Sequence, residues 1–142
     1  MAASEAIAGF GTLLKRGDGA LVEAFTAIAE CTNISGPALS QETSDVTHHE
    51  SPGGFREHIG TVLTAGEVTL DLNFIPTSVT QKALRTDLVN RTLRNFQLVF
   101  PDAGVTTWSF SALVTSFEVT EPVDDKLGAS CTLMISGEPT LN

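Results

Sequence analysis

The residues best suited to chemistry lie in one polar stretch near the middle of the chain. Three imidazoles and two carboxylates fall within residues 48–58: His48, His49, Glu50, Glu57 and His58. Imidazole and carboxylate groups together can bind zinc or iron. Their spacing matches no zinc-protease pattern, however, and the adjacent Gly53 and Gly54 make a flexible support for a metal. The cluster is better explained as a polar segment that orders against a partner, and we predict no metal site.

Motifs for nucleophilic or nucleotide chemistry are also missing from the sequence. The chain contains no Gly-x-Ser-x-Gly elbow, no phosphate-binding P-loop and no Gly-x-Gly-x-x-Gly run before a helix. The paired acids Asp124 and Asp125 follow Pro122 in a predicted turn, where carboxylates are usually only solvated. The sequence therefore predicts a protein that is not an enzyme and binds no cofactor.

Composition and charge narrow the class of protein further. The chain has 142 residues, of which 42% are hydrophobic and 18% charged, as expected for one globular domain over residues 1–142. Its 17 acidic and 8 basic residues give a net charge of −9. Such a surface repels phosphate backbones, which argues against tight nucleic-acid binding. No apolar run approaches the roughly 20 residues of a membrane span, so we expect no membrane contact.

Alternation of apolar and polar residues is the main structural signal. It runs over residues 67–74 and recurs over residues 96–100, 108–114 and 129–136, which predicts half-buried antiparallel strands. After residue 114 the apolar positions resume at an odd offset, which predicts a bulge near residues 115–116. Weaker strands are predicted at residues 12–15, 24–31 and 39–43. Cys31 and Cys131 lie in apolar strand-like runs and are predicted to be reduced core residues.

One segment has helical features, over about residues 79–91. Ser78 and Gln81 have capping-box spacing, and apolar residues then form a crude stripe. Four of the eight basic residues cluster here: Lys82, Arg85, Arg91 and Arg94. They form either a solvated helix face or a positive patch that meets an acidic patch on a neighbouring subunit.

Residues 42–60 lack any periodic pattern and contain the turn signal Ser51-Pro52-Gly53-Gly54. A loop of that length is unusual in a compact domain and is commonly functional or disordered until bound. With strands on both sides of one helix, the chain is predicted to be mainly β: an antiparallel β-sandwich or barrel flanked by an α-helix.

Three passages carry a resemblance to a known family. The first is the run over residues 42–57, followed by the alternating strand and the helix. The second is Phe100-Pro101-Asp102-Ala103-Gly104 with the Trp- and Phe-bearing strand after it, and the third is the ending Gly137-Glu138-Pro139-Thr140. Over nearly the whole chain this pattern resembles the major tail tube protein of long-tailed, siphovirus-type bacteriophages, including the lambda tube protein.

The resemblance implies a structural role in a virion tail assembled in the host bacterial cytoplasm. Subunits would form six-membered rings whose strands line a lumen, and the rings would stack into a conduit for DNA, which passes without tight or specific binding. The loop over residues 42–60 would be mobile in the monomer and order on stacking. Tape-measure, tail terminator and baseplate or tip proteins would be partners. The assembly-interface candidates are Asp45, Thr47, His48, His49, Phe55, Arg56, Glu57, Lys82, Arg85 and Arg91.

Other classes of function remain open from the sequence. The tube of a gene transfer agent or of a type VI secretion system has a similar architecture. A monomeric ligand-binding β-barrel would have an ordered loop and an internal apolar cavity. A metalloenzyme would use the histidines at positions 48, 49 and 58.

Overall fold

The computed structural model describes residues 3–141, which contain nine strands, one helix and one 3₁₀ turn. The prediction of a mainly β protein with one helix is confirmed. The elements are β1 (Leu13–Gly17), β2 (Phe25–Ala27), β3 (Cys31–Ser35), β4 (Ser40–Asp45), the 3₁₀ turn Pro52–Gly54, β5 (His58–Thr64), β6 (Glu67–Asn73), α1 (Val79–Asn90), β7 (Arg94–Val99), β8 (Thr107–Thr120) and β9 (Gly128–Leu141).

Seven strands form one antiparallel sheet in the order β2-β1-β7-β8-β9-β6-β3. β2 and β3 occupy opposite edges of this sheet, yet only residues 28–30 separate them. A linker of that length spans at most about 14 Å, so the sheet must curl until its edges approach. Leu13 of β1 and Cys31 of β3 accordingly line one groove. The continuous strand predicted over residues 24–31 is wrong, because Glu30 is left-handed at φ 54° and the chain turns there.

The inner face of the curled sheet forms the core. Its buried members include the alternating sets that the sequence indicated, with Phe96 stacked on Phe110 at 6.0 Å between ring centroids. The predicted bulge is confirmed, because the pairing with β9 shifts between Val114 and Ser116. Both cysteines are free thiols, and burial raises the pKa of Cys31 to about 11 and that of Cys131 to about 12.

The helix lies close to its predicted bounds. Ser78 caps it by accepting a hydrogen bond from the backbone of Gln81 at 3.5 Å, and it ends at Asn90 because Arg91 adopts the left-handed conformation. The Gln81 side chain does not complete a capping box. It accepts from the backbone N–H of Ile75 and donates to the carbonyls of Ala29 and Asn73, at 2.8 to 3.0 Å.

A buried carboxylate also fastens the helix to the sheet. Asp87 is 1% exposed and accepts from Arg16 Nε at 2.6 Å and Nη2 at 2.8 Å, and from Arg94 Nε at 3.0 Å. The hydrogen bonds to Asp87 are the main reason that the pKa of Arg16 is raised. Arg94 is thus a structural residue, and its assignment to an exposed basic cluster is wrong.

β4 and β5 form a separate two-stranded sheet. The interpretation of residues 42–60 as an irregular loop is therefore wrong for both ends of that segment, which are strands. No helix within the described residues is long and apolar enough to cross a lipid bilayer.

The ion cluster around Asp87 gives a test of the fold. Asp87→Ala leaves two partly buried guanidinium groups without their carboxylate, so we expect the free energy of unfolding to fall by about 3–5 kcal/mol in urea denaturation. Asp124→Ala, in an exposed turn, is the control and should change it by less than about 0.5 kcal/mol. Equal stability of the two variants would contradict the role given to Asp87.

Candidate assembly interface

The hairpin formed by β4 and β5 projects from the sheet, and we call residues 39–64 the arm. Every residue of both strands is exposed. Its exposed side chains include large apolar ones: Leu39, Val46, Phe55, Ile59, Val62 and Leu63. A two-stranded hairpin alone is marginally stable in water, and exposed apolar surface of this kind marks an interaction site. The arm is therefore a candidate interaction site.

A bulge sorts the apolar side chains of the arm between its two faces. Gln41 pairs with Leu63 and Ser44 pairs with Ile59, so β5 contains one residue more than β4 between these pairs. Paired residues point to the same face, and positions 41 and 44 point to opposite faces. Ile59 and Val62 consequently share one face with Glu42 and Ser44, while Leu63 lies on the other face.

We call residues 45–57 the tip of the arm. Hydrogen bonds near the end of β4 and the start of β5 hold this tip in place. Thr47 Oγ1 donates to the carboxylate of Asp45 and accepts from the backbone N–H of Glu57, and Arg56 Nη1 lies 3.1 Å from Asp45 Oδ2. The Thr47 hydroxyl is the largest cause of a lowered pKa at Asp45. These contacts connect the two strand ends directly.

A second set of hydrogen bonds closes the turn. Ser51 Oγ accepts from the backbone N–H of His48 at 3.0 Å and donates to Glu57 Oε2. His48 Nδ1 lies 3.4 Å from the same carboxylate oxygen. Within residues 3–141, no three histidine, cysteine or acidic side chains are arranged to hold a metal ion.

The structure divides the predicted interface residues into two groups. Seven lie at the tip of the arm: Asp45, Thr47, His48, His49, Phe55, Arg56 and Glu57. Lys82 and Arg85 are exposed on α1, and Arg91 caps its C-terminus. Their participation in assembly stays a prediction.

A groove of about 370 Å³ beside the helix was not predicted, and we call it the α1–β8 groove. Partly buried apolar side chains line it, including Phe74 and Phe117 in an edge-to-face pair at 6.4 Å. The exposed Lys82 and Arg85 border it. The phase change at residues 117 and 119 was its only signal in the sequence.

The outer face of the sheet is mainly polar and neutral. Hydroxyl and amide side chains occupy its paired positions: Thr69 with Thr132, Gln97 with Ser109, and Asn95 with Ser111. Ser111 Oγ donates to Asn95 Oδ1 at 2.6 Å, which ties β8 to β7 on this face. Glu67 and Asp71 add carboxylates along β6.

Comparison with known proteins places these features in context. The family model described as lambda phage tail tube protein matches residues 14–142. No curated protein sequence matches the chain at a significant level.

Solved structures with the same fold include several tube components. The tail of an empty gene transfer agent (GTA) particle with C6 symmetry has a TM-score of 0.79 and 23% identity, covering 96% of this chain and 99% of its own. The tube-terminating cap of the anti-feeding prophage has a TM-score of 0.71 and 14% sequence identity, and the match covers 100% of this chain and 94% of the cap chain. The SPP1 tail tube has a TM-score of 0.66 and 12% sequence identity, and the match covers 92% of this chain and 76% of the SPP1 chain. At these identities the likeness concerns the fold.

The tip network gives a titration test. Thr47→Val removes the main hydrogen-bond donor that stabilises the charged Asp45, so the pKa of Asp45 should rise towards its ordinary value. Carboxyl chemical shifts in an NMR pH titration measure this. Thr61→Val, which removes a hydroxyl that donates to the Glu42 carbonyl elsewhere on the arm, should leave it unchanged. An unaltered Asp45 pKa in Thr47→Val would contradict the tip geometry.

Proposed function

The chain belongs to the lambda phage tail tube protein family, and we propose that it is the repeating subunit of a hollow tube that conducts DNA into a host cell. The family is one of structural tail proteins rather than enzymes. The protein accordingly belongs to the tail of a phage or of a gene transfer agent particle.

The observation that carries the proposal is the unsupported arm. Each copy has exposed apolar side chains on a hairpin whose two strands contain no buried residue. A contact of this kind between different surfaces of two copies is heterologous, and heterologous contacts generate closed rings or open-ended stacks. A tube of stacked rings uses both.

Six copies in each ring are proposed on the likeness to the C6-symmetric GTA tail, which extends over 96% of the chain. The edge strands β2 and β3 each pair on one side within the described sheet. Their free backbone groups allow strands of adjacent copies to pair. Such pairing would join six curled sheets around one lumen.

The charge pattern suits a conduit for DNA. We propose that the outer face of the sheet lines the lumen. Its hydroxyl and amide side chains and its carboxylates offer phosphate groups few partners to bind, although Lys15 lies beside Gln97 on that face. The net charge of −9 adds repulsion. DNA would therefore move through the tube without tight or specific binding.

A monomeric ligand-binding barrel is less consistent with the structure. The inner face of the sheet is filled by fully buried side chains, including Leu70, Phe96 and Leu133. The interior of the sheet, where such a barrel would hold its ligand, is thus occupied by the core.

Partners at the ends and inside the tube follow from the same role. We propose a tape-measure protein in the lumen during assembly, a terminator at one end and baseplate or tip proteins at the other. The likeness of the fold to a tube-terminating cap supports contact between similar folds at a tube end.

Removal of the arm tests the proposal. In one variant Asn-Gly replaces residues 42–62, so that Gln41 and Leu63 flank a two-residue turn. We expect an unchanged melting temperature, because β4 and β5 contain no buried residue, and complete loss of tubes in negative-stain electron microscopy.

Wild-type protein and the control Val123→Ser, changed at an exposed turn, should form hollow tubes over a concentration series. Normal tubes from the arm-deleted variant would contradict the role of the arm. Wild-type protein that stays monomeric at every concentration would contradict the tube itself.

A further inference from the structure

We propose that the arm of one copy docks in the α1–β8 groove of a second copy. Ile59 and Val62 would enter the groove, and Glu42 would pair with Arg85. This inference rests on the proposed tube and names the surface that receives the arm.

The groove has the chemistry to receive an apolar pair. Phe74, Leu88, Phe117 and Val119 line it while remaining only partly buried, and each packs against the core on its other side. Its walls are therefore fixed in place before any partner arrives. Burial of apolar surface there would stabilise the contact between copies.

The arm has a matching face. Ile59 is 52% exposed and Val62 is 60% exposed, and the bulge in β5 brings both to the face that also carries Glu42. A regular strand would separate side chains three positions apart onto opposite faces. The extra residue thus produces an apolar pair beside a carboxylate, which is the complement of an apolar groove beside two cations.

Net charges on the two surfaces are also opposite. The arm has four carboxylates, at positions 42, 45, 50 and 57, against the single guanidinium of Arg56. Helix α1 and its cap expose Lys82, Arg85 and Arg91, while the carboxylate of the helix, Asp87, is buried between two arginines. In a chain of net charge −9 this helix face is an exception, and it attracts an acidic segment.

Within one protomer the arm does not cover the groove, because the arm and the border of the groove are both exposed. A second copy offers the matching apolar face and the opposite charge. Every copy then provides one arm and one groove, which are the two surfaces of the contact. Repetition of that contact extends a stack without limit.

Disulfide trapping between two variants that each carry one introduced cysteine tests the contact. Val62→Cys is mixed with Val89→Cys, whose exposed side chain lines the groove, and the mixture is oxidised with copper phenanthroline. The native thiols give little background, because burial raises the pKa of Cys31 to about 11 and that of Cys131 to about 12. The control pairs Val89→Cys with Ile7→Cys, an exposed apolar position on the N-terminal segment.

We expect about tenfold more cross-linked dimer from the first mixture than from the control or from either variant alone, because a disulfide forms only where Cβ atoms lie about 4 Å apart. Hollow tubes without a disulfide between the cysteines introduced at positions 62 and 89 would overturn the docking and leave the tube intact. Preferential trapping with Ile7→Cys would assign the groove to the N-terminal segment instead. Disulfide-linked oligomers without tubes would support the docking and contradict the tube.

Charge exchange gives an independent readout. Glu42→Lys or Arg85→Glu alone should raise the concentration needed for tubes by about fivefold, and the two together should restore it if the groups are partners. Additive losses in the double variant would contradict the assigned pair.

Discussion

The short connection between β2 and β3 determines the shape of the molecule. Because residues 28–30 join strands at opposite edges of the sheet, the sheet has to curl around its own apolar face. That face is filled by the core, and α1 is fixed beside it by Gln81 and Asp87. The remaining surfaces of the sheet and the arm cannot be buried within one chain, so they are available to other copies.

The elements with one solvent-exposed face and one buried face could be predicted from the sequence. Strand β6 and residues 128–135 of β9 alternate strictly, the bulge after Val114 shows as a change of phase, and Ser78 marks the start of the helix. Of the arm, only the beginning was predicted, as the weak strand over residues 39–43. β4 reads Ser-Gln-Glu-Thr-Ser-Asp and is exposed on both faces, so no contrast between buried and exposed positions appears.

Contacts between residues far apart in the sequence also could not be predicted. Arg94 reads as one more cation beside the helix, and only the fold brings it and Arg16, 71 positions before Asp87, to the same buried carboxylate. The α1–β8 groove also depends on contacts between distant residues, since Phe74 follows β6 and Phe117 lies in β8. Once Arg94 is assigned to the fold, the exposed cations of α1 stand out as a surface for an acidic partner.

The proposed assembly requires that the arm, which is unsupported in one copy, becomes supported by another. Hydrogen–deuterium exchange of the β4 and β5 amides, compared between monomer and assembled protein, measures this change. We expect fast exchange in the monomer, slow exchange after assembly, and little change in the amides of β6 and β9, which the sheet already protects. Arm amides that exchange equally fast in both states would contradict it.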